Sequence, residues 1–192
     1  EPGPSMTVET NAVRGPTPGS KVNPNPLYAL PVFSLFPYVL SGVALGNAQA
    51  CLNDYIEVVR HRISTYNRAK LSDFQSTQIK IAEASAKIDA ARRTMRSACI
   101  DAMEDARRSH IPDMATKTRY RRDGAFSVNL CTDAVSMLFA ASGARGLFTA
   151  GVLQRQFRDA HAINSHLAFN FDAAGTNYGR VALGLPSENL TL

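Results

Sequence analysis

The run from Ser72 to Ser109 contains no proline or glycine and places an apolar residue at every third or fourth position. This spacing predicts one amphipathic helix, about 50 Å long at a rise of about 1.5 Å per residue. A capping box, Ser72-Asp73-Phe74-Gln75, is predicted at its start. A helix of this length needs other helices to cover its apolar stripe, which consists of Ile81, Ala84, Ile88, Ala91, Met95, Ala98, Ala102 and Ala106.

Three more segments have helical periodicity, over about residues 35–60, 118–142 and 153–173. Gly143 is a natural C′ residue after the second of them, and strand signals are almost absent. Four long amphipathic helices with short connections predict an all-α fold, an antiparallel four-helix bundle over residues 35–192.

Eight of the ten prolines lie within residues 1–37, where they oppose helix formation. Residues 1–34 are therefore predicted to be an extended Pro/Gly-rich arm or linker, with a turn at Gly15–Gly19. The uncharged stretch Leu27–Leu52 is interrupted by prolines, glycines and amides, so we interpret it as buried in protein and expect no membrane association.

The net charge of +5 arises from 21 basic and 16 acidic residues. Acidic residues are interspersed among the arginines, so no nucleic-acid surface is expected. Cys51, Cys99 and Cys131 lack CxxC spacing, and we interpret them as reduced, buried thiols of a cytoplasmic protein.

On the predicted fourth helix, His166 and Asn170 are four residues apart and share a face. His161 lies about 140° away from His166, which argues against a paired metal site, and no metal is expected. From composition alone, a hydrogen-bonded helix histidine is the commoner role for His166. Histidine is nevertheless the side chain most readily tuned to act as a base near neutral pH.

A series of short motifs occupies the second half of the chain: Ser142-Gly143-Ala144, Leu153-Gln154-Arg155, Phe157-Arg158-Asp159-x-His161, His166 and Gly179-Arg180. In these motifs the chain resembles the C-terminal domain of the acyl-CoA dehydrogenase superfamily, and within it the flavin-dependent aromatic hydroxylases. The resemblance covers the chain from about residue 12 onward but only the last part of the family's full length. The chain alone is therefore expected to be inactive and to bind flavin weakly.

The resemblance implies the oxygenase component of a two-component monooxygenase, which hydroxylates a phenol through a flavin C4a-hydroperoxide. Its cofactor would be reduced FMN or FAD, supplied by a flavin reductase, and its bundles would assemble a homotetramer or dimer. In this branch a histidine about 26 residues from the C-terminus lies beside the flavin. His166 has 26 residues after it, which implies that it is the catalytic base.

Clustered arginines and hydroxyls from Arg60 to Tyr66 suit a phosphate, although a solvated helix end explains them equally well. The resemblance implies that cofactor binding involves Arg60, Arg62, Thr65, Ser142, Gly143 and Asn170. It also implies that an aromatic substrate contacts the arm at Tyr28, Leu30 and Phe33, for which the alternative is packing of the arm on the bundle.

Two rival functions remain open. Dehydrogenases of the common type carry a catalytic Glu eight or nine residues after the Arg of the Arg158-Asp159 pair, where this chain has His166 and Leu167. The missing carboxylate favours monooxygenation over oxidation of an acyl thioester. A non-catalytic helical oligomerisation domain is the third possibility.

Overall fold

The computed structural model describes Gly19, residues 22–189 and residues 191–192. Within these residues there are five α-helices and no strand, and the only extended pairing is one isolated antiparallel bridge between Ile63 and Lys70. The predicted all-α class is confirmed, whereas the arm before Gly19, with the turn at Gly15–Gly19, lies almost entirely outside the described residues. The helices are α1 Val32–His61, α2 Gln75–Arg107, α3 Met114–Ala141, α4 Val152–Asn164 and α5 Phe171–Ala182.

The chain divides into two compact units, and α1, α2 and α3 each contribute residues to both. The first unit comprises the described residues up to Leu40, Thr94–Phe126 and the described residues from Ala168 onward. The second unit comprises Ser41–Arg93 and Ser127–Leu167.

Segments of four helices form the second unit. Arg92 on α2 donates to the side-chain oxygen of Gln49 on α1 at 2.6 Å, and Tyr55, later in α1, is hydrogen-bonded to Thr77 at the start of α2. The two contacts therefore run in opposite chain directions, and α1 and α2 are antiparallel as predicted.

The other two helices complete this unit through polar contacts. Asn47 on α1 donates to the backbone carbonyl of Gln156 on α4 at 2.9 Å, and Lys87 on α2 lies 3.7 Å from the carboxylate of Asp133 on α3. Small and β-branched side chains fill the space between the helices because they allow close packing. The buried apolar residues include Ala44, Ala48, Cys51, Val59, Ala84, Ile88, Ala91, Val128, Cys131, Val135 and Leu138.

Helix α1, which begins in the first unit, starts earlier than predicted. Helix α1 starts at Val32 and includes the buried Pro37, whose missing N–H leaves the carbonyl four residues before it without a helical donor. Arg121 on α3 supplies that donor, because its Nη1 donates to the carbonyl of Phe33 at 3.3 Å. A tertiary contact thus satisfies the carbonyl that the proline leaves without a helical donor.

The predicted capping box at the start of α2 is wrong. Residues Leu71–Asp73 form a 3-10 turn, and the Ser72 hydroxyl donates to the Asp73 carboxylate at 3.2 Å rather than accepting from the helix. Helix α2 then begins at Gln75.

The predicted single helix over residues 153–173 is also wrong, because it is two helices, α4 and α5. Ser165 follows the end of α4 and its hydroxyl donates back to the carbonyl of His161 at 2.8 Å. Asn170 caps α5 by accepting from the backbone N–H of Ala173 at 3.0 Å. His166 lies in the turn between them, so it does not share a helix face with Asn170.

The three cysteines are unpaired, and Cys51 and Cys131 are buried as predicted. Cys99 is exposed, so the prediction of three buried thiols is wrong at this position. Burial raises the pKa of the Cys51 thiol to about 12 and that of Cys131 to about 11. Both of these thiols therefore stay protonated at neutral pH.

Among the described residues, α1 and α3 are long and apolar enough to cross a membrane by length and composition alone. Buried core helices meet the same criterion, and half of the apolar window of α3 is buried within this chain. The feature is therefore weak evidence for a membrane span.

Candidate functional site

A pocket of about 410 Å³ lies in the second unit, where the end of α1 meets the loop from α3 to α4. The residues that line it are Val58, His61, Arg62, Ser142, Arg145, Gly146, Gly151, Val152 and Leu153. No carboxylate is among these described lining residues, although Glu57 accepts from the ring of His61 at 3.0 Å. Apolar walls with two guanidinium groups suit an anion attached to an apolar body.

Arg62 joins the two segments that form this pocket. Its Nη1 donates to the backbone carbonyl of Ser142 at 2.8 Å, one residue after the end of α3, where helix carbonyls lack intrahelical donors. A guanidinium has five N–H donors, so this contact orients Arg62 and still leaves donors for a ligand.

The loop after α3 has the conformation that its glycines allow. Gly143 has φ of +68°, which confirms it as the predicted C′ residue. Ser142 is buried and its hydroxyl donates to the carbonyl of Phe139 at 2.6 Å. At Gly146 an added Cβ would overlap the Ser142 hydroxyl. Ser142 and Gly143 therefore shape the pocket through the backbone, and the Ser142 hydroxyl is committed to the helix end.

The sequence prediction missed Arg145. It lies in the 3-10 helix Gly143–Leu147 and is exposed, and among the described residues no ion pair involves it. The sequence held one signal for Arg145, its position as a cation between Gly143 and Gly146, because glycines permit a backbone turn that brings the side chain toward a ligand.

Two smaller pockets lie nearby, one of which shares Arg62 and Arg145 with the first. A polar one of about 140 Å³ is lined by Arg62, Ile63, Ser64, Thr65, Leu71 and Arg145. A third, of about 380 Å³, is lined by Tyr55, Ser64, Leu71, Phe74, Ser76, Thr77, Lys80 and Ala141. We call these three adjoining pockets the groove. The groove includes Arg62, Thr65 and Ser142 from the predicted cofactor set.

The groove is not lined by the other predicted site residues, which are Arg60, Gly143 and Asn170 of the cofactor set and His166, the predicted catalytic base. Arg60 is exposed, pairs with Glu57 at 3.4 Å and does not line the groove. Asn170 belongs to the first unit, where it caps α5. His166 is exposed in its turn, its backbone N–H donates to the carbonyl of Ile163 at 3.1 Å, and it does not line the groove.

The predicted substrate residues belong to the first unit. Leu30 packs against the buried cluster that includes Tyr120, whereas Tyr28 is half exposed. Phe33 is partly buried and contributes its carbonyl to Arg121. Packing of the arm on the helices therefore accounts for Leu30 and Phe33, and the Tyr28 ring remains accessible. Among the described residues no group of three or more His, Cys, Asp or Glu side chains is placed to hold a metal ion.

These features define a helical domain with a cationic groove suited to a phosphorylated ligand. Residues 38–171 match the family described as acyl-CoA dehydrogenase, C-terminal domain, and the chain belongs to this family. The predicted resemblance to the superfamily and to its aromatic hydroxylase branch is confirmed.

The relatives are oxygenases of the predicted kind. The oxygenase component of the FADH2-dependent resorcinol hydroxylase of Rhizobium sp. is 31% identical over 91% of this chain and 45% of its own length. The solved 3-HSA hydroxylase of Rhodococcus sp. RHA1 superposes with a TM-score of 0.83 at 29% identity, over 92% of this chain and 46% of that one. The HsaA monooxygenase of M. tuberculosis gives 0.85 at 26% identity, over 96% and 47%. The chain thus spans less than half the length of these relatives.

Proposed function

We propose that this chain is the C-terminal domain of the oxygenase component of a two-component flavin-dependent monooxygenase that hydroxylates a phenolic substrate. The observation that carries the proposal is the groove, where Arg62 and Arg145 meet without a lining carboxylate. Support also comes from relatives whose names describe hydroxylation of resorcinol and of p-hydroxyphenylacetate.

The groove residues fit the phosphate end of reduced FMN or FAD. Guanidinium groups pair with phosphate oxygens through two parallel hydrogen bonds, and the Ser142 carbonyl holds Arg62 in place for this contact. The hydroxyls of Ser64 and Thr65, which line the polar pocket, add neutral donors. When bound, the reduced flavin supplies the electrons that activate dioxygen, and a separate flavin reductase would deliver it.

His166 is proposed as the base that accepts the proton of the phenolic hydroxyl. Removing this proton makes the ring electron-rich, and a base of this kind contributes about 10²–10⁴-fold to rate. The segment from Ala160 to Phe171 contains no Asp or Glu, so it offers no carboxylate for taking the α-proton of a thioester. This absence favours monooxygenation over the dehydrogenase alternative.

Assembly through the helical bundles, as a homotetramer or dimer, is part of the proposal. Its support is the outer face of α1, where Val39 and Val43 are exposed and a Cβ added at Gly42 or Gly46 would meet no atom within 4 Å apart from the neighbouring backbone of α1 itself. Light scattering of the whole protein tests this assembly, and a monomer at micromolar concentration would contradict it. A cytoplasmic location is proposed on the unpaired cysteines.

The test is an assay of the whole protein with a phenol, dioxygen and reduced FMN or FAD from a reductase. Hydroxylated product is expected, and His166→Ala lowers its rate at least 100-fold. His110→Ala, which removes another exposed histidine, serves as the matched control. Unchanged turnover in His166→Ala would reject the base, and anaerobic reduction of the bound flavin by an acyl-CoA would reject the function.

A further inference from the structure

We propose that His161 is a positioning residue for His166, and that its side-chain contact with Ser136 sets where the chain turns away from the end of α4. The inference rests on the proposed function in taking His166 to be the base. It goes further by naming the residues that hold the turn in which His166 lies.

The side chain of His161 fastens the last turn of α4 to α3. Its Nε2 and the hydroxyl of Ser136 on α3 are hydrogen-bonded at 3.0 Å. The two residues are 25 positions apart in sequence, so this bond is a tertiary contact. Because a hydrogen bond weakens steeply when its geometry changes, the contact holds the end of α4 at one place along α3.

Aromatic rings restrain His161 from a second side. The ring of Phe157, one turn earlier on α4, has its centroid 4.5 Å from that of the His161 ring, tilted by 58°. Phe157 in turn stacks on Phe139 of α3, with the centroids 4.2 Å apart and the planes 19° from parallel. Stacked and tilted rings at these distances attract each other. The imidazole is therefore held by a ring and a hydroxyl, and both contacts lead to α3.

The backbone of His161 begins the turn that carries His166. Its carbonyl accepts from the backbone N–H of Ser165 at 3.1 Å and from the Ser165 hydroxyl at 2.8 Å. The backbone N–H of His166 donates to the carbonyl of Ile163 at 3.1 Å. His161 is thus bound to α3 by its side chain and to the turn by its carbonyl, so a displacement of His161 moves the turn with it.

The place of this turn matters for the proposed chemistry. A base must lie within hydrogen-bond reach of the proton that it accepts, and a misplacement of about 1 Å can cost about 10²-fold in rate. Neither His161 nor Ser136 lines the groove. Loss of their contact should therefore lower kcat through the position of His166 and leave KM nearly unchanged.

Steady-state kinetics of the whole protein with a phenol and reduced flavin test this. His161→Ala should lower kcat about tenfold and Ser136→Ala about threefold, with KM for the phenol within about twofold of wild type. His161→Gln, whose amide can replace the hydrogen bond of Nε2, should bring kcat back to within about threefold of wild type. Because both changes break the same contact, the double variant should be no slower than His161→Ala. His110→Ala, which removes another exposed histidine, should leave kcat unchanged.

Amide hydrogen exchange of the whole protein examines the turn independently of turnover. The N–H groups of Ser165 and His166 should exchange at least about fivefold faster in His161→Ala and Ser136→Ala than in wild type, because their hydrogen bonds open more often. Exchange within α1 should stay unchanged.

Three results would overturn the inference: unchanged exchange in the turn, a double variant slowed by the product of the two single effects, or a rise in KM without a fall in kcat. Faster exchange in a protein that hydroxylates no phenol would support the positioning of the turn by His161 and reject the proposed function instead.

Discussion

Gly124→Ala probes the contact that lets α1 contain a proline. A Cβ built at Gly124 on α3 lies 2.6 Å from Cβ of Pro37, far inside van der Waals contact. Because the pyrrolidine ring is rigid and Pro37 is buried, the overlap is relieved only by moving the two helices apart. Overpacking of this kind costs about 1–3 kcal/mol.

The same substitution also gains helix propensity, which is worth up to about 1 kcal/mol. A cost of about 2 kcal/mol, the middle of that range, therefore leaves a net loss of at least about 1 kcal/mol in the free energy of unfolding, or a few degrees in Tm for a chain of this length. Urea denaturation followed by circular dichroism measures it.

Gly179→Ala is the matched control in the same unit. Gly179 lies on α5, and no heavy atom is within 4 Å of an added Cβ. This variant should gain about 0.5–1 kcal/mol from propensity alone. A Gly124→Ala protein as stable as wild type, or stabilised like the control, would refute the close packing of α1 on α3.

Three further predictions concern stability. Arg62→Ala should lower the free energy of unfolding by about 1 kcal/mol, because the Ser142 carbonyl at the end of α3 loses a charged donor. Arg60→Ala, which breaks an exposed ion pair, should change it by no more than about 0.5 kcal/mol, and equal losses for the two variants in urea titrations would contradict this prediction. Hydrogen bonds from Thr116 lower the pKa of Asp113. The ionised Asp113 carboxylate therefore stabilises the fold above about pH 4, and this stabilisation is lost as the pH falls through the pKa that Asp113 has in the folded state. Asp113→Asn should therefore flatten the dependence of Tm on pH between pH 2 and 5, and an unchanged slope would reject this role for the hydrogen bonds from Thr116 to Asp113. Burial raises the pKa of Cys51 to about 12, so the free energy of unfolding falls as the pH rises past about 8.5, the ordinary pKa of a thiol in the unfolded chain. Cys51→Ala should reduce this alkaline loss in thermal melts, and an identical loss would contradict the assignment.

The helices that could be predicted are those that the periodicity of the local sequence determines. Seven of the eight predicted stripe residues of α2 are buried, and only Ile81 is partly exposed, because helical period alone determines that face. The start of α1 could not be predicted, since the carbonyl that Pro37 leaves without a helical donor accepts from Arg121, which is 84 residues from Pro37 in sequence.

The break between α4 and α5 was missed for a different reason. Helix-compatible residues continue through Ser165–Asn170, and neither proline nor glycine marks the turn. Ser165 and Asn170 instead satisfy backbone groups at the two helix ends, and such short polar residues are also tolerated inside helices.

The residues of the candidate site also differ in how far the sequence predicts them. Arg62 could be recognised from its residue type and its place after α1. Arg145 was missed although it lies between two glycines, because its position depends on the left-handed conformation of Gly143 and on the packing of Gly146 against Ser142.

We propose that the whole enzyme to which this domain belongs inserts one atom of dioxygen into a phenol. Mass spectrometry of the product formed by the whole protein under ¹⁸O₂, with a flavin reductase and a phenolic substrate, tests it most directly. We expect one ¹⁸O atom in each newly formed hydroxyl group. Product labelled only from water, or an unsaturated acyl thioester formed from an acyl-CoA without dioxygen consumption, would contradict the account.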